Sequence, residues 1–182
     1  MKILIPAPGT VLFVCLLALT THPLGATGGR DTVRGAIEHY FSLLKNGHYD
    51  QIYDLLPEAT QKKSSRPEMV AGLSRLAGLL RLEKIEIDRV EQKNGLAVAT
   101  TTIYGTLTNP VTLNGEAISR GRIISQQYLV RERRFWKIAS INERSLRLFL
   151  QENPAAGSLF PQAYTRLEVL SAGQWMKMPG SR

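Results

Sequence analysis

The chain has 182 residues, with 23 lysines and arginines against 15 aspartates and glutamates, for a formal net charge of +8. Its single cysteine, Cys15, excludes an internal disulfide and a thiolate metal cluster. The length fits one domain around one ordinary hydrophobic core.

In chain order, Lys2 precedes the apolar run Val11-Leu12-Phe13-Val14-Cys15-Leu16-Leu17-Ala18-Leu19, and small residues follow in Leu24-Gly25-Ala26-Thr27-Gly28-Gly29. A positive start, a short apolar core and a small-residue exit form the layout of a secretory signal. The core falls short of the roughly 20 apolar residues that a membrane span needs. The expectation is export to the periplasm or beyond, with cleavage after Ala26 or Gly28; the alternative is an uncleaved anchor. Cys15 follows Phe13-Val14 rather than small residues, which argues against a lipid anchor.

Asp31 is placed as the cap of a first helix whose apolar stripe is Val33, Ala36, Ile37, Tyr40, Phe41 and Leu44. Asn46-Gly47 ends it, because glycine enters the left-handed region cheaply. Asp50 is assigned as the cap of a second helix that Pro57 breaks, and residues 58–64 read as a polar loop. Ser65-Arg66-Pro67-Glu68 has capping-box spacing and opens a third helix, which is expected to end near Gly78.

From Leu82 the period becomes two. Val90 falls out of phase with Ile85 and Ile87, which predicts a bulge near Arg89. Lys93-Asn94-Gly95 is a hairpin signal. Two long β-rich runs follow, Leu96 to Thr108 and Ile118 to Arg131, separated by Asn114-Gly115. A reversal at Glu132-Arg133-Arg134 leads into Phe135 to Ile141. Residues 143–182 read as an extension, either an added edge strand or a mobile segment, with a short helix from Ser145 and a strand from Tyr164 to Leu170. The order predicts an α+β fold: three N-terminal helices on one side of an antiparallel sheet of about four strands.

Ile37-Glu38-His39-Tyr40-Phe41, Lys45-Asn46-Gly47-His48-Tyr49-Asp50 and Tyr53-Asp54-Leu55-Leu56 resemble the opening of the nuclear-transport-factor-2-like superfamily (SnoaL-like, ketosteroid-isomerase-type). Tyr128-Leu129-Val130-Arg131-Glu132 with Trp136-Lys137-Ile138 resembles its last hairpin. The resemblance implies a strongly curved sheet closing into a cone over residues 29–142, with an apolar interior. It also implies a ligand pocket, for which Tyr40, Tyr53, Tyr104, Gln126 and Tyr128 are the candidate lining residues, and a homodimer formed through the open sheet face. The superfamily includes isomerases, dehydratases, small-ligand binders and protein-binding domains, so fold alone does not choose among them.

The residues themselves argue against chemistry. Neither long strand contains Asp, Glu or His between Leu96 and Thr108 or between Ile118 and Val130, so a general base has no natural seat there. His39 and His48 are too scattered for a metal site, and no phosphate loop or serine elbow is present. No catalytic residue, metal or cofactor is assigned. Arg120, Arg122, Arg131, Arg133, Arg134, Lys137, Arg144 and Arg147 form a dense basic stretch. It reads either as the solvated face of a sheet or as a surface for anionic lipid or wall polymer, and export makes nucleic acid an unexpected partner. The leading expectation is a non-catalytic binder of a small apolar ligand or an envelope protein. The alternatives are a basic surface-association module and an isomerase- or dehydratase-like enzyme.

Overall fold

The computed structural model describes residues 29–113, 115–159 and 165–178; the signal-like segment lies outside them. Helix α1 spans Val33–Lys45 and buries the predicted stripe, with Ile37 fully inaccessible. Its cap is Thr32 rather than Asp31: the Thr32 hydroxyl accepts from the Gly35 amide at 3.0 Å. Gly47, at φ +75°, turns the chain into α2 (Tyr49–Tyr53), where Asp50 lies in the first turn and His48 at the cap position. Residues expected as a loop form α3 (Glu58–Lys62), started by Pro57. Helix α4 (Arg66–Ala77) begins at Ser65, whose hydroxyl accepts from the Glu68 amide. Among the described residues no helix is long and apolar enough to cross a membrane.

The sheet has six antiparallel strands: β1 (Leu80–Lys93), β2 (Leu96–Leu113), β3 (Glu116–Glu132), β4 (Phe135–Ile138), β5 (Thr165–Ser171) and β6 (Gln174–Lys177). Their order is β1-β2-β3-β5-β6, and β4 shares the β5 edge of β3. Strand β5 pairs with Gly121 to Ser125 of β3, and β4 pairs with Leu129 to Glu132. Register shifts in β1 fall between Leu82 and Lys84 and between Ile87 and Arg89, the second where Val90 loses phase. Helix α1 is fastened across both, with Lys45 Nζ donating to the Glu83 carbonyl at 2.9 Å and Arg34 donating to the Ile87 carbonyl at 3.1 Å. Gly105 leaves no room for a side chain; a Cβ there would lie 2.6 Å from the Arg81 carbonyl oxygen.

The expected fold, three helices on a four-stranded cone with a loose extension, is overturned. Four helices precede the first strand, the sheet has six strands, and residues beyond 142 are part of it. Helix α5 (Glu143–Glu152) and α6 (Pro154–Leu159, expected as a loop) also belong to the fold. Alternation along the strands gives the sheet two faces. Ala97, Ala99, Leu129 and Ile138 join α1, α2 and α4 in one core, while Leu96, Val98, Tyr128 and Ala139 join Phe149 of α5 and Ala156 of α6 in another. The helices therefore cover both faces at this end of the sheet, not one. Apolar residues in unbroken succession, as in Leu96-Ala97-Val98-Ala99, are what a strand buried on both sides requires.

Candidate functional site

The five candidate pocket residues do not meet. Tyr40 lies in the helix-side core, and burial pushes its phenol up to about 12. The Tyr53 hydroxyl donates to the carbonyls of Gln61 and Ser64, bracing the short helices. Tyr104, Gln126 and Tyr128 project from the other face. The Tyr104 hydroxyl donates to Glu86 at 2.7 Å, and its ring meets Trp175 edge-on at 5.9 Å. The Tyr128 ring packs on Phe149, with centroids 6.4 Å apart. Gln126 is buried, and its Oε1 has no hydrogen-bond partner among the described residues. It lies opposite Thr100, in the stretch of β3 between the β5 and β4 pairings.

On the helix side, the buried polar groups are turned on one another. Thr101 bonds to the Ser125 carbonyl at 3.3 Å, Gln127 donates to the Ser125 hydroxyl at 3.1 Å, and Ser140 donates to Gln127 Oε1 at 3.0 Å. Two clefts, of about 390 and 450 Å³, lie elsewhere at the surface. The first runs between the starts of α4 and α5, and its charges are matched by Arg144–Glu68 and Arg147–Glu143 pairs. The second lies beside α3 and contains the Lys62–Glu58 and Lys63–Glu152 pairs.

The carboxylates likewise hold structure. Hydrogen bonds from Lys84 and then Tyr104 keep Glu86 below the usual carboxylate range, and Asp88 accepts from Thr102 at 3.1 Å. Burial, reinforced by Arg30, lowers the pKa of His39. Among the described residues no three His, Cys, Asp or Glu side chains cluster as a metal site.

The five candidate surface arginines divide into two sets. Arg120 pairs with Glu83 at 3.3 Å, and Arg122 is held by Glu168 at 2.6 Å while its guanidinium lies 4.4 Å from the Trp175 ring centre. These two stitch neighbouring strands together, and their charge is spent. Arg131, Arg133 and Arg134 stand at the exposed β3–β4 hairpin, where no described residue forms an ion pair with them. Arg30 joins them, since its carbonyl accepts from the Trp136 amide at 2.9 Å and draws the start of the domain along β4. Phe135 is flanked by two guanidiniums, Arg30 at 5.2 Å and Arg134 at 4.7 Å. Of the neighbouring acids, Glu132 accepts from the Glu58 amide, and Glu58 bonds to Lys62 with weaker attraction from Arg133 and Lys137.

The turn itself runs against local preference. Arg133 adopts φ +55°, a region that costs an ordinary residue about 1 kcal/mol and that Asn or Gly fills readily. The other hairpin turns place Gly95, Gly115 and Gly173 at positive φ, together with Asn94 at +53° and Ala172 at +47°. Sequence reasoning found the three hairpin arginines but missed Arg30 and Phe135. Arg30 is far from them along the chain, and the aromatic residue read only as the start of a strand. No protein-family model matches this chain, and no curated protein does.

Proposed function

We propose that this protein is a non-catalytic binding module of the cell envelope whose working surface is the β3–β4 hairpin. Its partner is an anionic envelope component. The observation that carries this reading is the group of hairpin arginines with no ion-pair partner among the described residues, Arg131, Arg133 and Arg134, with Arg30 and Arg134 flanking Phe135 and Arg133 held at φ +55°. Strain of this kind persists where surrounding structure enforces it, and it gathers at functional positions. Guanidinium groups suit the task because they present flat, paired donors to carboxylate or phosphate oxygens. The apolar-ligand reading is the weaker one, since its candidate residues sit on opposite faces of the sheet and the polar groups beside the helix-side core satisfy each other.

The test is co-sedimentation of the full chain with anionic vesicles and with an anionic polymer at two salt concentrations. Binding should weaken as salt rises. The Arg133→Glu/Arg134→Glu variant should lose at least about tenfold in affinity. Arg120→Ala should bind as the parent does. Binding indifferent to salt and to the double reversal would refute the proposal.

A further inference from the structure

The structure assigns a second binding surface, for a saccharide chain bearing carboxylates, on the outer face of the sheet at its β5–β6 end. It is carried by other residues than the β3–β4 hairpin and does not depend on it. One cross-strand row runs Lys84, Tyr104, Arg122, Glu168 and Lys177, from β1 through β2, β3 and β5 to β6. The cover supplied by α5 and α6 lies elsewhere on this face, over Leu96, Val98, Tyr128 and Ala139.

Charge does not balance at Glu168. Its Oε2 accepts from Arg122 Nε at 2.7 Å and lies 2.6 Å from a terminal nitrogen of the same guanidinium, while its Oε1 meets Arg166 Nε at 2.8 Å. Both oxygens are engaged, and Lys177, opposite Glu168 in the β5–β6 register, forms no ion pair among the described residues. Three cations thus share one carboxylate. Glu168 is buried, whereas the Arg166 side chain is 44% exposed and Lys177 is exposed as well. A carboxylate arriving from solvent meets both, and the excess positive charge favours an anionic chain over a neutral one. The aromatic residues supply the rest of the recognition. The Trp175 ring meets Tyr104 edge-on at 5.9 Å, and the Arg122 guanidinium lies 4.4 Å from its centre. Arg122 occupies one face of the indole, yet Trp175 stays partly exposed. A sugar ring fits beside such an indole, its C–H face being apolar and its rim polar. A row crossing five strands, roughly 19 Å from first to last, offers a broad shallow surface that suits an extended chain, whereas compact ligands bind in concavities.

The experiment titrates the full chain with a short oligogalacturonate and follows acrylamide quenching of tryptophan fluorescence. Trp136 is only 5% exposed, so quenching reports mainly on Trp175, and Trp175→Phe gives the background. The expected result is that the oligogalacturonate shields Trp175, less so as salt rises. The Arg166→Ala/Lys177→Ala variant, altered only at exposed positions, should raise the half-saturating concentration roughly three- to tenfold. Arg133→Glu/Arg134→Glu should leave it unchanged. Equal shielding by a neutral cello-oligosaccharide would show that charge is irrelevant, and equal shielding by oligoglutamate that the sugar is; either would overturn the inference. So would the absence of shielding, or shielding indifferent to the Arg166 and Lys177 changes, and both outcomes leave the hairpin proposal standing. Shielding lost instead in the hairpin variant would place the oligosaccharide at the hairpin and overturn this second surface alone.

Discussion

The two halves of β3 carry arginines at similar density and treat them in opposite ways. From Glu116 to Ser125 the strand pairs with β2, and from Gly121 also with β5, and each arginine is met by a carboxylate from another strand, Glu83 or Glu168. From Leu129 onward its outer neighbour is the four-residue β4, and the chain then reverses within a turn made of arginine. Net charge and spacing are the same kind of information in both halves. What separates them is whether a partner strand brings an acid across, and that depends on residues more than 30 positions away.

The comparison is broken most severely by removing what supports the second half. Phe149→Ala empties the core beneath Tyr128 and should cost about 3–5 kcal/mol, measured by denaturant unfolding. The effect would be far smaller if α5 merely lay on the surface. Glu168→Ala tests the first half. It strands a largely buried Arg122 guanidinium and frees Arg166, for an expected loss of about 2 kcal/mol.

The outer-face carboxylates add a weaker, pH-dependent component. Glu86 is held below its ordinary value by Lys84 and then by Tyr104, so its folded form binds a proton less readily than the unfolded chain. Its contribution is present above the unfolded glutamate value of about 4.3 and fades as pH falls toward the folded one. Glu86→Gln should therefore flatten the fall of Tm with acidification below about pH 5 while leaving its slope between pH 6 and pH 8 unchanged. A slope identical to the parent's at acid pH would contradict the assignment. Least affected should be the stability of Arg133→Glu/Arg134→Glu, which stays within about 0.5 kcal/mol of the parent. A large destabilisation would mean that the hairpin arginines are structural after all.

The helix stripe from Val33 to Leu44, the capping serine at 65, the bulge near Arg89 and the Asn94-Gly95 turn were legible because each is decided by neighbours in sequence. Helix α3 was not, since Glu58 to Lys62 is too polar for a stripe; its start at Pro57 is favoured by the proline's fixed φ. The C-terminal strands were half-read. The alternation in Thr165 to Ser171 was visible, but their place on the β5 edge depends on pairing with Gly121 to Ser125. The second core carried a signal that went unused: Leu96 to Ala99 lacks the polar alternation of a one-sided strand, so a cover on both faces was already required. At the candidate site the hairpin arginines could be named from sequence, but their lack of partners could not. Arg30 and Phe135 needed the fold to bring them together.

Because the edge that β5 covers belongs to a strand made about 40 residues earlier, this edge stays open until residues 165–171 have been made. A nascent chain that has emerged as far as Ile138 can hold its earlier hairpins, yet it still shows bare backbone along Gly121 to Ser125 and an uncovered Tyr128 ring. Exposed strand edges of this sort recruit other chains. A shortened product ending near Asn142 should therefore expose both features and self-associate more readily than the full chain.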